Sequence, residues 1–228
     1  DMPKYHFNKR AAYAFAARFY LYYQQWQKAL DAANEVLTTN DRTTKNLLRN
    51  WEDFRDVTKV GSTKQGNRAL YYTRDDIQAN LLVLPVYSSI TNYFSEDYSR
   101  RYTHNSRISN QETLAAPNLW DTQGKAIINE RYWFMPIKTE SNDANTIFFD
   151  KWPAFSGDYS RSIMIPFTTD ETLLVRAEAR ILQHKYAEGV ADLKLFTKNY
   201  LTSGEEFSQE EIIRNYSDIA YSEYDEHS

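Results

Sequence analysis

The side chains best suited to chemistry in this sequence are aromatic and polar rather than nucleophilic. Trp120 stands beside Asp121 in PNLWDTQG, with Gln123 close by; Tyr132 and Trp133 are adjacent in ERYWFMPI; Trp152 precedes Pro153 in DKWPAFSGDY. Flat aromatic rings cover the apolar C–H face of a pyranose, while carboxylates, planar amides and arginine take its hydroxyls. Trp120, Asp121, Tyr132, Trp133 and Trp152 are therefore the candidate ligand-binding residues. On a strand Tyr132 and Trp133 would point to opposite faces, so only one of them could meet a ligand. A tryptophan also serves as a buried anchor, the commoner role for so large an apolar group. The turn context and polar neighbours of Trp120 single it out. Trp26 and Trp51 lie on helical faces and are read as core.

Catalysis finds no comparable arrangement. A glycosidase needs two carboxylates at a set separation, and no spacing among Asp75, Asp76, Asp143, Asp150 and Asp158 selects a pair. His6, His104, His184 and His227 are scattered and show no metal-ligand spacing. The absence of cysteine excludes disulfides, thiolate metal sites and a thiol nucleophile. GSTKQGN (61–67) fails as a phosphate loop, because Asn67 stands where lysine is required and no apolar strand precedes it. The expectation is a non-catalytic protein with no metal and no cofactor.

The elements that must position these residues begin with residues 8–37, NKRAAYAFAARFYLYYQQWQKALDAANEVL. Ala12, Phe15, Phe19 and Tyr22 recur at helical spacing, a polar Gln24-Gln25 step follows, and Ala29, Leu30, Ala33 and Leu37 mark a second helix. Small residues let two helix backbones approach closely, and large aromatics fill the remaining space. The pattern returns in residues 172–201, TLLVRAEARILQHKYAEGVADLKLFTKNYL, at an offset of 160. Ala17 matches Ala177, Trp26 matches Tyr186, Ala29 matches Gly189 and Leu30 matches Val190. A small residue before an aromatic and another after it is the sparse signature of a tetratricopeptide-type hairpin.

Between the hairpins, Thr39-Asn40-Asp41 ends the first and Thr44 starts a short helical run through Leu47, Leu48, Trp51 and Phe54. The dense apolar centre of IQANLLVLPV suits a buried strand or short helix stopped by Pro85. Residues 88–121 read as a long loop, of the kind that is usually functional. AIINERYWFMPI (126–137) suggests a strand ended near Pro136, and NTIFFDKWP (145–153) a second, the pair forming a small hairpin or two edge strands. Thr168 with Glu171, and Ser208 with Glu211, fit capping boxes. The fold class expected is mainly α: tetratricopeptide-like helical hairpins with a loop-rich insert containing a few short strands. Its parts are residues 1–60, the first hairpin and following short helix; 61–165, the irregular ligand-facing insert; and 166–228, the second hairpin and a short C-terminal helix.

Composition narrows the partners. Net charge is −4 in 228 residues, without a Lys/Arg cluster, so nucleic acid is not expected. No apolar run approaches the roughly 20 residues that span a bilayer, and DMPKYHF opens without a signal-peptide core. Aromatics, at 15% of residues, are the unusual component, and serve either a tyrosine-rich core and surface or a site for a flat, partly apolar ligand.

Two segments resemble the SusD/RagB family, surface glycan-binding lipoproteins of Bacteroidota. The run AARFYLYYQQWQKAL is similar to that family's alanine-rich helical pair. IPFTTDETLLVRAEAR is similar to its later helix, through Leu174, Arg176, Ala177, Glu178 and Ala179. NLLVLPV and ERYWFMPI fall where the family has its irregular, ligand-facing segment. The matching parts cover about a third of the chain. Family members are longer and begin with a lipoprotein signal and an anchoring cysteine, so the resemblance implies an internal portion of such a protein. It also implies a binding module at the outer membrane, facing outward, with an oligosaccharide ligand and a SusC-like TonB-dependent transporter as partner. Any membrane attachment would be through a lipid anchor outside this sequence. RagB-like peptide capture, and a tetratricopeptide-type protein–protein scaffold, are the alternatives.

Overall fold

The computed structural model describes residues 3–55, 71–87, 137–139, 147–149, 154–155, 161–200 and 207–217. Among them the protein is mainly helical, with a few short strands. Asn8 starts the first hairpin as an N-cap, its Oδ1 accepting from the Ala11 amide at 3.0 Å. Helix α1 (Lys9–Tyr22) and α2 (Trp26–Val36) pack against each other across a three-residue turn. The alanines explain how close they lie: Ala17, Ala29, Ala32 and Ala33 are all buried between or beside the two helices.

One expectation is corrected here. The large aromatics of α1 fill the space around the alanines only in part: Tyr13 and Tyr20 pack against the alanine clusters, but Phe15, Phe19 and Tyr22 do not. Ala11, Ala14 and Ala17 are buried, whereas Phe15, Phe19 and Tyr22 are exposed. Small residues form the contact face because α2 comes so close on that side, which leaves the bulky rings pointing out.

After Asn40, whose Oδ1 caps the Thr43 amide, come α3 (Asp41–Leu47) and α4 (Trp51–Arg55). The expected single helical run is thus broken at residues 48–50. Leu48 and Arg49 are buried there, with the Arg49 amide turned toward Asp170.

Residues 77–83 form a strap rather than a regular strand. It lies between the N-terminal segment and the approach to the second hairpin, held by Val83 N–H to the Lys4 carbonyl (2.8 Å), Leu81 N–H to Phe167 (3.1 Å) and Thr169 N–H to Ala79 (3.0 Å). Strand β1 (Leu84–Tyr87) continues straight through Pro85, against the expectation that proline would stop it. It does so because β1 is an edge strand, where a missing N–H leaves no ladder bond unmade. The sheet order is β1-β5-β4, with β4 (Ala154–Phe155) and β5 (Arg161–Met164) both antiparallel to their neighbours and Leu84 opposite Met164. Strands β2 (Ile137–Thr139) and β3 (Ile147–Phe149) pair antiparallel as a separate ribbon. The pairing of a small hairpin is therefore present, while residues 126–136 of the expected first strand lie outside the described residues.

The second hairpin is α5 (Thr169–Leu182) and α6 (Tyr186–Tyr200), followed by α7 (Gln209–Ser217). Helix α5 packs on α2 and α1, so the hairpins are neighbours in space although far apart in sequence. Thr168 caps α5 through Glu171 N–H at 3.2 Å, but the Glu171 side chain goes to Arg18, so this box is half made. Ser208 and Glu211 complete theirs, with bonds of 3.1 and 2.7 Å, and the Ser208 amide holds the Glu211 carboxyl below its ordinary pKa. A continuous core joins Ala11, Ala14, Val36, Leu48, Leu81 and Leu173 across hairpins and strap.

The two interhelix turns share their two closing bonds. Gln24 N–H bonds to Leu21 and Gln25 N–H to Tyr20; at the same offset His184 N–H bonds to Ile181 and Lys185 N–H to Arg180. Both central residues are left-handed, Gln24 at φ 57° and His184 at φ 61°. These are paired 5→2 and 6→1 bonds of a Schellman turn, normally closed by glycine.

Candidate functional site

Where α1, the first turn and α5 meet, they leave a groove of about 620 Å³, within the size range of small-ligand sites. One wall is Arg18, Tyr22 and Trp26; the other is Glu171, Leu174 and Glu178, which fall at i, i+3 and i+7 of α5 and so share one helix face. Arg18 is engaged on three sides. Its Nε and Nη2 donate to the two carboxylate oxygens of Glu171 at 2.5 and 2.6 Å, Nη2 also reaches the Pro166 carbonyl at 2.6 Å, and the guanidinium lies 4.6 Å from the Phe167 ring centre. Glu171 sits in the first turn of α5, where the helix dipole favours its charge. Glu178 is exposed and makes no ion pair among the described residues. Gln24 completes the rim. An aromatic wall, a fixed Arg–Glu pair, an amide and a free carboxylate can hold a hydroxyl-rich or cationic ligand. Among the described residues no group of His, Asp or Glu is placed to hold a metal.

The five sequence-predicted residues, Trp120, Asp121, Tyr132, Trp133 and Trp152, lie outside the described residues. Trp26, read as core, is half-buried and lines the groove instead. It opens α2 immediately after the turn, where no preceding helical turn covers it. Trp51 is half-buried and meets Tyr200 edge-on at 5.1 Å. The groove was signalled in the sequence only by Glu171, whose position in a capping box does not reveal Arg18 as its partner.

Two polar clusters are buried and serve the scaffold. Arg176 and Asp192, each with only 1% of its side chain exposed, form a bidentate pair of 3.0 and 2.6 Å between α5 and α6. Arg176 also reaches across to the Thr38 carbonyl at 2.8 Å, and Arg180 adds a 2.6 Å bond to Asp192. In the second cluster, Arg49 donates to Asn80 Oδ1 at 2.5 Å and stacks 3.8 Å from the Tyr72 ring centre. Its backbone N–H faces Asp170, whose carboxyl burial pushes up in pKa against the opposing pull of Arg49.

No helix among the described residues is long and apolar enough to cross a membrane. No protein family, curated protein or solved structure matches this chain.

Proposed function

We propose that this chain is part of a SusD/RagB-like binder that captures oligosaccharide at the cell surface without catalysis. In this reading its two hairpins are tetratricopeptide-like units, and it passes ligand to a SusC-like TonB-dependent transporter in the outer membrane. The observation that carries the reading is the repeat itself. Hairpins 160 residues apart share the two closing bonds of their turns and pack as neighbours, while the strap and the β1–β5 ladder draw the two ends of the intervening segment together. That arrangement supports a rigid helical frame presenting a long, aromatic-rich segment, the division of labour the resemblance implies. Peptide capture is the second reading, favoured by the groove beside Trp26, where a free carboxylate lies next to an exposed leucine.

Calorimetric titration against oligosaccharide and peptide panels tests it, with Trp120→Ala beside the wild type. Oligosaccharide binding lost in Trp120→Ala supports glycan capture through the central segment. Oligosaccharide binding that survives Trp120→Ala keeps the function and moves the site. Binding to peptides alone would replace the first reading with the second.

A further inference from the structure

The repeat leaves the same two turn positions spent in one hairpin and unspent in the other. In the second hairpin His184 Nδ1 lies 2.7 Å from the Tyr186 hydroxyl, so the turn side chain and the residue opening α6 satisfy each other. Their counterparts at the offset of 160 are Gln24 and Trp26. Neither of these side chains has a hydrogen-bond partner among the described residues, and both line the groove between α1, the first turn and α5. Gln24 also holds left-handed backbone at φ 57°, where glycine would be free of strain. Strain retained under a polar side chain at a groove rim points to a use for that side chain.

The groove has one charge left over. Arg18 and Glu171 cancel as a bidentate pair, and Glu178 remains. A carboxylate on an exposed helix face is commonly matched by a cation three or four positions away. Glu178 has Leu174, Val175, Ile181 and Leu182 at those positions. It is therefore a lone negative charge on an apolar stripe, with the half-buried Trp26 on the opposite wall. A long basic side chain complements all three features: its head meets the carboxylate, its methylenes cover exposed Leu174, and its charge faces the indole ring.

We propose that the groove captures a peptide through a lysine or arginine side chain, whose cationic head pairs with Glu178 while its stem lies between Trp26 and Leu174. The Gln24 amide, donor and acceptor at once, meets a peptide unit beside it. At about 620 Å³ the groove is the size of a ligand site rather than of one side chain, so it takes a peptide segment and not a lone small cation. This assignment rests on peptide capture as the groove's function and adds the charge that the peptide must carry.

Calorimetric titration of the full chain tests it with the capped peptide Ala-Leu-Lys-Leu-Ala and two analogues, carrying norleucine or glutamate in place of lysine. The lysine peptide should bind roughly tenfold or more tighter than the norleucine one, which keeps the stem and lacks the charge, and the glutamate peptide should bind most weakly. Glu178→Gln should erase the preference for lysine over norleucine. Glu210→Gln, an exposed carboxylate removed from α7, should keep it. Equal binding of the three peptides would overturn the proposal and leave peptide capture standing, whereas no binding of any would overturn both. A preference that survives Glu178→Gln, or that Glu210→Gln also removes, would overturn the pairing with Glu178. Capped lysine alone binding as tightly as the pentapeptide would make the occupant a small cation and overturn the proposal too.

Discussion

The two hairpins have the same turn and the same small residues at Ala17 and Ala177, yet they close their interiors by opposite chemistry. Where the first has Ala16, Tyr20 and Ala32, the second has Arg176, Arg180 and Asp192. Ala32 is buried in methyl contacts with Ala17, Ala33 and Val175. Asp192 is buried under two arginines, and Arg176 uses its remaining donors on the Thr38 carbonyl and, at 3.4 Å, Asn34. A backbone pattern set by turn and helix spacing thus accepts either a dry alanine seam or a fully partnered ionic one. The ionic seam carries more risk, because a buried charge tolerates the loss of its partner badly.

The largest expected effect breaks that seam. Asp192→Ala should cost about 3–5 kcal/mol in urea unfolding, the range for stranding a buried charge, here Arg176. Ala32→Gly, the corresponding deletion in the first hairpin, should cost about 1 kcal/mol, from helix propensity and one lost methyl. Arg176→Met together with Asp192→Leu, which makes the second hairpin apolar like the first, should recover at least half of the single-variant loss. If the double variant is no better than Asp192→Ala, the seam contributes through packing and not through charge.

Next is the closest approach in each hairpin, Ala29 in one and Gly189 in the other. A Cβ at 189 would lie 2.6 Å from Ile181 Cγ1 and 3.1 Å from the Ala177 carbonyl oxygen. Gly189→Ala should therefore lose about 1–2 kcal/mol despite alanine's better helix propensity. Adding Ile181→Val, which leaves Cγ1 in place, should restore little; Ile181→Ala, which removes it, should restore most. Thermal melts of the three variants separate these outcomes.

The first turns of α1 and α5 differ too, with Arg10 in one where the other has Asp170. Both are desolvated, but Arg10 stays charged at any ordinary pH, so pH sensitivity belongs to the second hairpin. Because burial raises the Asp170 pKa, its stabilising contribution is fully present below the ordinary carboxylate value of about 3.9. It is lost as pH rises through the higher folded value. Relative to Asp170→Asn, the wild type should lose stability as pH increases from about 4. A parallel course of urea midpoints for both proteins would show that Arg49 fully offsets the burial.

These contrasts also show what could be read from residues alone. Hairpins, turn positions and two of the caps were legible because they depend on local spacing: Thr168 and Ser208 each sit immediately before a helical run and three residues ahead of a glutamate, whereas the caps at Asn8 and Asn40 emerged only from the structure. The direction of the α1 aromatics was not legible, since Phe15 and Phe19 are apolar and periodic whether or not a neighbour covers them. The buried ion pair left a usable signal, for Arg176 and Asp192 stand equally far before and after His184 and so must face each other across the turn. Arg18 and Glu171, 153 positions apart, left none, because their meeting depends on how the hairpins stack.

The smallest expected effect sharpens the comparison where the hairpins are most alike. Gln24 and His184 both hold left-handed backbone at the closing position of a Schellman turn, a conformation that glycine adopts without the Cβ strain of about 1 kcal/mol. Gln24→Gly should raise stability by somewhat less than that, since glycine also gains freedom in the unfolded chain. His184→Gly should gain less again. The imidazole Nδ1 lies 2.7 Å from the Tyr186 hydroxyl and its ring meets the tyrosine edge-on, contacts with no counterpart at Gln24, and an exposed hydrogen bond of this kind is worth about 0.5 kcal/mol. Melting temperatures of the two variants, with His184→Gly repeated in a Tyr186→Phe background, separate the terms. If the hydrogen bond accounts for the shortfall, removing the tyrosine hydroxyl first should bring the His184→Gly gain up to that of Gln24→Gly. If the shortfall persists, it comes from the ring contact, because the turn geometry itself is shared.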